Sequence, residues 1–296
     1  LLDAAARMNL SPLGSGALAA TAFDIDREAT ARELGFNGMT RNSMDAVADR
    51  DFLLESVSAL AICAVHLSRV CEELVLWSSQ EFGFLRMSDA FTTGSSMMPQ
   101  KRNPDMAELI RGKSGRVVGD LVSLLVMLKG LPLTYNRDMQ EDKPPAFDAF
   151  DTVDDSLEVL AGSLASARFD AERMRSALRE GFVEATELAD YLAARGVPFR
   201  RAHHAVGVLV RKATENDKRL ADLTLDELKT GHPAFEEEAF RALDLEAAVE
   251  RRSVVGGPAR AAVASEVAAL KQRLAERGID PEKIAAEYRV GADVKK

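Results

Sequence analysis

The chain has few aromatic residues, few cysteines and less positive than negative charge. Phenylalanine, tyrosine and tryptophan together make up 6% of its 296 residues, and there are two cysteines. A sequence rich in alanine and leucine but poor in aromatic residues favours helix over sheet. The net charge of −9 argues against a general nucleic-acid-binding protein, because phosphate contacts require a basic surface. An anionic ligand would therefore have to meet a local group of cations.

Long uncharged apolar runs are also absent from the sequence. No stretch of about 20 apolar residues without a charge occurs, and no signal peptide is visible. We therefore expect a soluble, cytoplasmic protein without membrane contacts. Cys63 and Cys71 fall in a segment with a helical pattern, where eight residues of helix would separate their α-carbons by roughly 12 Å. That distance excludes a disulfide, so we expect buried thiols in a reducing compartment.

The predicted helices become shorter along the chain. Long helices are predicted at 42–78, 104–129 and 146–167, and shorter elements from about residue 170 onwards. The sequence therefore predicts a central helical-bundle domain at 1–178 and a small helical domain at 179–296.

The predicted helix at 42–78 contains neither glycine nor proline and has apolar residues around most of its circumference. Such a helix is buried on most sides. At about 36 residues and 1.5 Å per residue it would be roughly 54 Å long, which a monomer of this size could hardly cover. The economical interpretation is a bundle completed by other subunits, although a large monomeric bundle would give a similar pattern.

The most informative segment runs from Gly94 to Asp105 and reads Gly-Ser-Ser-Met-Met-Pro-Gln-Lys-Arg-Asn-Pro-Asp. Its small residues allow the loop to fold over a ligand, and Lys101 brings a positive charge that an anion can use. Asn103 is a good N-cap and Pro104 a good first helical residue, so a helix is predicted to begin at about Pro104. The combination suits a mobile catalytic lid.

This segment resembles the signature loop of the fumarase/aspartase superfamily, G-S-S-x-M-P-x-K-x-N-P. Within that superfamily, further segments resemble the argininosuccinate lyase family, namely 11–17, 42–52, 131–143 and 185–200. The resemblance implies an all-α fold, a long-helix bundle of the fumarase/aspartase type with a smaller helical C-terminal domain. It also implies a homotetramer with active sites shared between subunits, a small-molecule substrate, and no cofactor or metal.

The activity implied by the resemblance is reversible β-elimination of argininosuccinate to arginine and fumarate, a step of arginine biosynthesis. By motif position, Ser95 would be the base, and Lys101 and Asn103 would hold the dianion that forms when the proton leaves. Glu108 would polarise an active-site histidine. A serine hydroxyl is a poor base unless its alkoxide is stabilised, and Lys101 and the following helix N-terminus would supply positive potential in a closed, dry site.

Three polar residues in the break between two predicted long helices would bind substrate. These are Tyr135, Gln140 and Lys143, of which Gln140 and Lys143 would hold carboxylates or the amino-acid end of the substrate. The residue pattern alone also allows an ordinary polar turn there.

Other residues leave alternatives open or are assigned no role. Glu108 also suits a solvated helix start, and Arg50 and Arg111 would either face the site or form structural ion pairs. The adjacent His203 and His204 are not expected to bind a metal, because neighbouring helical residues point about 100° apart and no third ligand is placed beside them.

The chain begins at Leu1 rather than at methionine, and the family's Thr-His motif lies in an N-terminal region. None of the four histidines here lies in such a context. We therefore expect that the N-terminal domain, with the general acid, lies outside this chain, and that the chain alone has little lyase activity. The alternatives are another lyase of the superfamily, such as adenylosuccinate lyase or fumarase, or a non-catalytic homologue of the δ-crystallin kind.

Overall fold

The computed structural model describes residues 1–94, 96–98, 101–178, 181–284 and 286. Contacts among these residues divide the chain into two compact units, unit 1 up to Arg168 and unit 2 from Phe169. The change from long to short predicted helices predicts a boundary near residue 178, which is one short helix beyond the boundary between the compact units. The domain assignment therefore stays a prediction, and the compact units are described separately below.

Unit 1 is mostly helical, with strands of two residues each. Its helices are α1 Leu2–Met8, α2 Arg27–Glu33, α3 Ser43–Ala48, α4 Asp51–Ser78, α5 Asp105–Leu128 and α6 Lys143–Ser166. The strands are β1 Leu10–Ser11, β2 Gly38–Met39, β3 Leu85–Arg86, β4 Thr93–Gly94 and β5 Arg102–Asn103, with β6 Arg168–Phe169 at the junction of the units. Strands β1 and β2 pair in parallel, and β4 and β5 pair antiparallel. Short 3-10 turns span Asp89–Phe91 and Arg137–Asp142.

Helices α4, α5 and α6 form the core of unit 1. One buried cluster joins Leu60 of α4 to Leu124 of α5 and Ala149 of α6, and a second joins Leu74 of α4 to Ala107 and Leu160. Residue numbers rise together along α4 and α6 and fall along α5. Helix α5 is therefore antiparallel to both of its neighbours.

The long helix predicted at 42–78 is broken in the structure between α3 and α4. Asp49 has extended backbone angles (φ −107°, ψ 157°), and its Oδ1 atom accepts hydrogen bonds from the backbone N–H groups of Arg50 (2.6 Å) and Asp51 (3.0 Å). A short acidic side chain that bonds to nearby N–H groups competes with helical hydrogen bonding. The prediction of one continuous helix was wrong at this point, and the break changes the position of Arg50.

Both cysteines lie within α4 as free thiols. Cys71 is fully buried, and this burial raises the pKa of its thiol to about 11. A thiol with so high a pKa is not a nucleophile at neutral pH. The expectation of unbridged cysteines agrees with this arrangement.

Unit 2 consists of shorter helices. They are α7 Ala171–Ala177, α8 Ala185–Ala194, α9 Phe199–Glu215, α10 Leu225–Gly231, α11 Ala239–Ala242, α12 Leu245–Glu250 and α13 Arg260–Ala275, with a 3-10 turn at Leu220–Asp222. Its core is centred on α8 and α9, where Leu188, Leu192 and Leu209 are fully buried against Phe235. The buried carboxylate of Glu187 accepts hydrogen bonds from two consecutive arginines of the segment after α12.

The bundle helices of unit 1 also carry apolar side chains on their outer faces. Ile62 of α4, Val126 of α5 and Phe147 of α6 are each more than 60% exposed. Among the described residues, no helix combines the length and the apolar character needed to cross a bilayer. The described residues therefore leave these faces of the three-helix core uncovered.

Candidate functional site

The signature loop is closed at its base by a small β-hairpin. Thr93 pairs with Asn103 and Gly94 with Arg102, so β4 and β5 bring the two ends of the loop together. Ser95, the predicted base, lies outside the described residues. Lys101, at the other end of the loop, is exposed, and its backbone N–H donates a hydrogen bond to the carbonyl of Met98 (3.0 Å).

The prediction that Asn103 caps the following helix was wrong. Asn103 belongs to β5, the N-cap position of α5 is occupied by Pro104, and the helix begins at Asp105. The reason is non-local, because pairing with Thr93 draws Asn103 into an extended conformation. The Thr93 hydroxyl also donates a hydrogen bond to the Asp105 carboxylate, which ties the hairpin to the first turn of α5.

Glu108 and Arg111 follow on the first turns of α5. Glu108 is exposed, which agrees equally with a solvated helix start and with a functional role. Arg111 forms an ion pair with Glu72 of α4, and this hydrogen bond raises the pKa of Arg111. The structure thus favours the ion-pair alternative for Arg111, which holds α5 against α4 beside the signature loop.

At the other end of the bundle, a buried carboxylate joins two cations. Asp142 is 3% exposed and accepts hydrogen bonds from Nε of Arg50 (2.6 Å) and from Nζ of Lys143 (2.8 Å). Burial by itself raises the pKa of Asp142, but the hydrogen bonds from Lys143 and Arg50 outweigh it and bring the pKa below the ordinary value. Arg50 Nη1 also donates to the carbonyls of Val47 (3.3 Å) and Asp49 (2.6 Å).

This cluster was only partly predicted from the sequence. Lys143 was a candidate and Arg50 an open alternative, whereas Asp142 was missed. The one local signal is an acidic residue directly before the Lys-Pro-Pro start of a helix. The decisive contact joins residues 92 positions apart, which no local pattern shows.

A cavity of about 620 Å³ lies beside the cluster, within unit 1. Its walls include Thr40, Arg50, Phe52, Lys143 and Phe147. The wall carries cations and carboxylates together, namely Arg7, Arg50, Lys143, Asp45, Asp49, Asp51 and Asp142. A small polar molecule in this cavity would therefore meet groups of both signs.

The other predicted substrate-binding residues precede the cluster in sequence. Tyr135 is 47% exposed, and Gln140 is exposed within the 3-10 turn Arg137–Asp142. Helix α6 begins at Lys143 rather than at residue 146 as expected, since prolines are compatible with the first turn of a helix. Lys143 is therefore held at a helix start rather than in a loop.

Within one chain the two groups of predicted residues are far apart. Lys101 and Asn103 precede the start of α5, while Lys143 begins α6 beside the end of α5 that carries Leu124. Helix α5 has 24 residues and is therefore about 36 Å long. One copy of this chain does not bring the signature loop to the Arg50–Asp142–Lys143 cluster.

No metal centre is apparent in this region. Within the described ranges, histidine, cysteine, aspartate and glutamate side chains do not form any group of three or more that could hold a metal ion.

Comparison with known proteins shows a consistent similarity. Residues 1–119 match the family model described as Lyase, and residues 182–250 match Argininosuccinate lyase C-terminal. The argininosuccinate lyases of Symbiobacterium thermophilum and Desulforudis audaxviator are 54% and 56% identical over 275 and 274 residues, which is 93% of this chain and 60% of each relative. The chain is similar to argininosuccinate lyases along nearly its whole length.

The similarity to argininosuccinate lyases covers only part of the length of those proteins. The chain spans about 60% of the length of the argininosuccinate lyases it matches, including that of Thermus thermophilus, which is 55% identical over 280 residues. Among solved structures, EDDS lyase in complex with formate has a TM-score of 0.85 at 30% identity over 98% of this chain and 60% of that one. An EDDS lyase variant with bound fumarate has the same TM-score and coverage at 28% identity. The predicted all-α fold of the fumarase/aspartase type is confirmed.

Proposed function

We propose that the protein containing this chain is an argininosuccinate lyase, which converts argininosuccinate reversibly to arginine and fumarate. The observation that carries the proposal is identity of 54% and 56% to argininosuccinate lyases over 93% of the chain. The proposal applies to the whole protein, because the chain spans about 60% of such relatives. Arginine biosynthesis in the cytoplasm is the setting that this activity implies.

In this proposal the signature loop abstracts a proton from the carbon next to a substrate carboxylate. Ser95 is the base, and Lys101 and Asn103 bind the carboxylate as its charge grows. Support comes from the placement of Lys101 and Asn103 directly before the N-terminus of α5, where the helix dipole adds positive potential. Glu108, on the first turn of α5, polarises the histidine that the family resemblance implies.

The opposite end of the bundle binds the rest of the substrate. Tyr135, Gln140 and Lys143 form this part of the site, and Arg50 adds a second cation beside Lys143. The buried carboxylate of Asp142 fixes both cations at the cavity wall, which supports a role in holding a carboxylate. The two similar EDDS lyase structures hold the carboxylates formate and fumarate.

A homotetramer would bring the signature loop of one subunit to the Lys143 end of the bundle in another. Because these two parts of the site lie about one α5 length apart in a single chain, the loop of one subunit must meet the Lys143 end of another. The exposed apolar side chains of Ile62, Val126 and Phe147 supply faces for such packing. No cofactor is needed, since the proposed groups supply the base, the cations and the hydrogen bonds.

The base assignment is tested by replacing Ser95 in the full-length protein. Ser95→Ala should lower kcat by at least 100-fold while leaving substrate affinity within a few-fold, because the hydroxyl acts mainly in the transition state. Fumarate release is followed by its absorbance, and binding by calorimetry. Ser265→Ala on α13, which is exposed, is the matched control and should keep normal turnover.

The substrate assignment is tested by comparing turnover of argininosuccinate, adenylosuccinate and malate. Argininosuccinate should be the preferred substrate by a wide margin. Faster turnover of either other compound would transfer the assignment to adenylosuccinate lyase or fumarase. Near-normal turnover by the Ser95→Ala variant would remove Ser95 from the mechanism without changing the family.

A further inference from the structure

Unit 2 contains a cavity that the proposed reaction does not use. It has a volume of about 640 Å³ and lies between α7, α12, the 3-10 turn Leu220–Asp222 and the first residue of α13. Part of its wall is apolar, formed by Met174, Leu178, Leu243, Leu245 and Val249. The volume falls within the range usual for small-molecule sites.

One wall of the cavity carries a buried carboxyl group that lacks a donor. Glu184 is 8% exposed, and its Oε2 atom has no hydrogen-bond partner among the parts of the chain that the structure describes. Although Glu184 occupies the N-cap position of α8, its side chain does not cap that helix. Leaving a buried polar oxygen unpaired costs roughly 1–3 kcal/mol. Such a group therefore indicates that its partner is supplied from outside the described residues.

The neighbouring cation does not supply that partner. Arg219 lies close enough for the charge of Glu184 to affect its pKa, but its Nε and Nη2 atoms donate to Asp222 at 2.9 and 2.6 Å. This bidentate geometry fixes the guanidinium on Asp222. A bound cation can supply a donor to Glu184 that Arg219 does not.

The rim of the cavity presents exchangeable cations. Arg175 pairs with Glu246 at 2.6 Å, and Arg260 reaches Glu250 at 3.4 Å, with exposed side-chain fractions of 60% and 80% for the two arginines. Exposed ion pairs contribute little to stability, so an incoming carboxylate can compete for these guanidinium groups. The cavity thus offers a buried carboxyl group, an apolar wall and arginines at the rim.

We propose that this cavity binds a basic amino acid, that is, a small aliphatic molecule with an ammonium or guanidinium group at one end and a carboxylate at the other. The cationic end donates hydrogen bonds to Glu184, the aliphatic chain lies along the wall formed by Met174 and Leu245, and the carboxylate meets Arg175 or Arg260. The site lies wholly within unit 2 and shares no residue with the signature loop or the Arg50–Asp142–Lys143 cluster.

The test is a calorimetric titration of the full-length protein with L-lysine, which is neither substrate nor product of the proposed reaction. L-Lysine should bind in a 1:1 ratio to each chain, and L-norleucine, which lacks the side-chain ammonium, at least tenfold more weakly. Glu184→Gln should weaken L-lysine binding by at least tenfold. Glu237→Gln, an exposed glutamate elsewhere in unit 2, is the matched control and should bind normally.

A second variant covers the case in which Glu184→Gln disturbs folding, which circular dichroism would reveal. Arg175→Gln changes an exposed side chain and should weaken L-lysine several-fold with the fold intact. The proposal is overturned if the wild type does not bind L-lysine, if L-norleucine binds equally well, or if neither variant weakens binding. Calorimetry does not depend on turnover, so its result stands whether or not the protein releases fumarate.

Discussion

At the scale of single residues, Asp142 organises the cations at one end of the bundle. It is the buried partner of both Arg50 and Lys143. Arg50 directly precedes α4, and Asp142 and Lys143 lie at the start of α6. A buried carboxylate between two cations is stabilised by each of them only if the geometry of the hydrogen bonds is fixed. The rigid helix ends supply that geometry.

Replacing Asp142 should therefore be costly. Asp142→Asn should lower the free energy of unfolding at pH 7 by roughly 3 kcal/mol, because Arg50 is then left without its buried counter-charge. Urea denaturation monitored by circular dichroism measures this loss. Asp155→Asn, an exposed site on α6, should change stability by less than about 0.5 kcal/mol.

The stabilisation by Asp142 also depends on pH in a defined direction. Its pKa in the folded protein lies below the ordinary value of 3.8, so its contribution is fully present above pH 3.8 and is lost as the pH falls through the folded pKa. The stability difference between wild type and Asp142→Asn should therefore shrink at acidic pH. A difference that grows on acidification would contradict this assignment.

At the scale of secondary-structure elements, α5 and α6 are joined by a carboxyl pair and an arginine. Arg116 Nε donates to Asp148 Oδ2 at 2.5 Å, and Asp120 lies beside Asp148. Burial, followed by the charge of Asp148 and a hydrogen bond to it, raises the pKa of Asp120 to about 6. Two carboxyl groups in contact are therefore most stable when they share one proton.

The Asp120–Asp148 pair should affect stability with a pH dependence opposite to that of Asp142. Because the pKa of Asp120 is raised above 3.8 by folding, its favourable contribution is complete below pH 3.8 and is lost as the pH rises through about 6. Asp120→Asn, which stays neutral, should raise the free energy of unfolding at pH 8 by about 1 kcal/mol after allowance for partial exposure. Urea midpoints at pH 5 and pH 8 check this, and an equal effect at both values would refute it.

The elements show where sequence patterns were sufficient and where they were not. Helices α5 and α6 were expected at nearly their observed positions, since their apolar spacing reflects local geometry. The break before α4 was missed, because it depends on hydrogen bonds that the Asp49 side chain accepts in a run without glycine or proline. Asn103 was assigned to a helix cap, because its pairing with Thr93 is invisible in a local pattern.

The candidate site could likewise be predicted only in part from sequence patterns. Lys101, Asn103 and Lys143 were found from motifs, and their roles stay predictions. The contact between Arg50 and Asp142 depends on how α4 and α6 pack, and it could not be derived from either segment alone. Motifs thus identified the chemical groups, and tertiary packing determined which of them meet.

At the scale of the whole molecule, the separation of the two ends makes assembly a requirement of the proposed reaction. This 296-residue chain alone should release fumarate at less than a hundredth of the full-length rate, because it spans about 60% of the length of the argininosuccinate lyases it matches. The comparison uses equal molar concentrations and fumarate absorbance. A rate like that of the full-length protein would show that the chain contains all the groups the reaction needs.

The exposed apolar faces predict how the full-length protein associates. Val126→Asp, on the outer face of α5, should shift the sedimentation coefficient from that of a tetramer to that of a smaller species and reduce turnover with it. Val255→Asp, at a position that is 92% exposed in unit 2, introduces the same charge and should leave the tetramer intact. An unchanged tetramer in the Val126→Asp variant would exclude this face from the interface.

The hairpin at the base of the signature loop also affects how much of the binding energy remains for affinity. Because β4 and β5 are paired, the ends of the loop are held about 5 Å apart before any substrate arrives. The conformational entropy of bringing those ends together is therefore lost during folding and not during binding. A substrate that binds at this loop meets two ends that are already in place, so more of its interaction energy is retained as affinity.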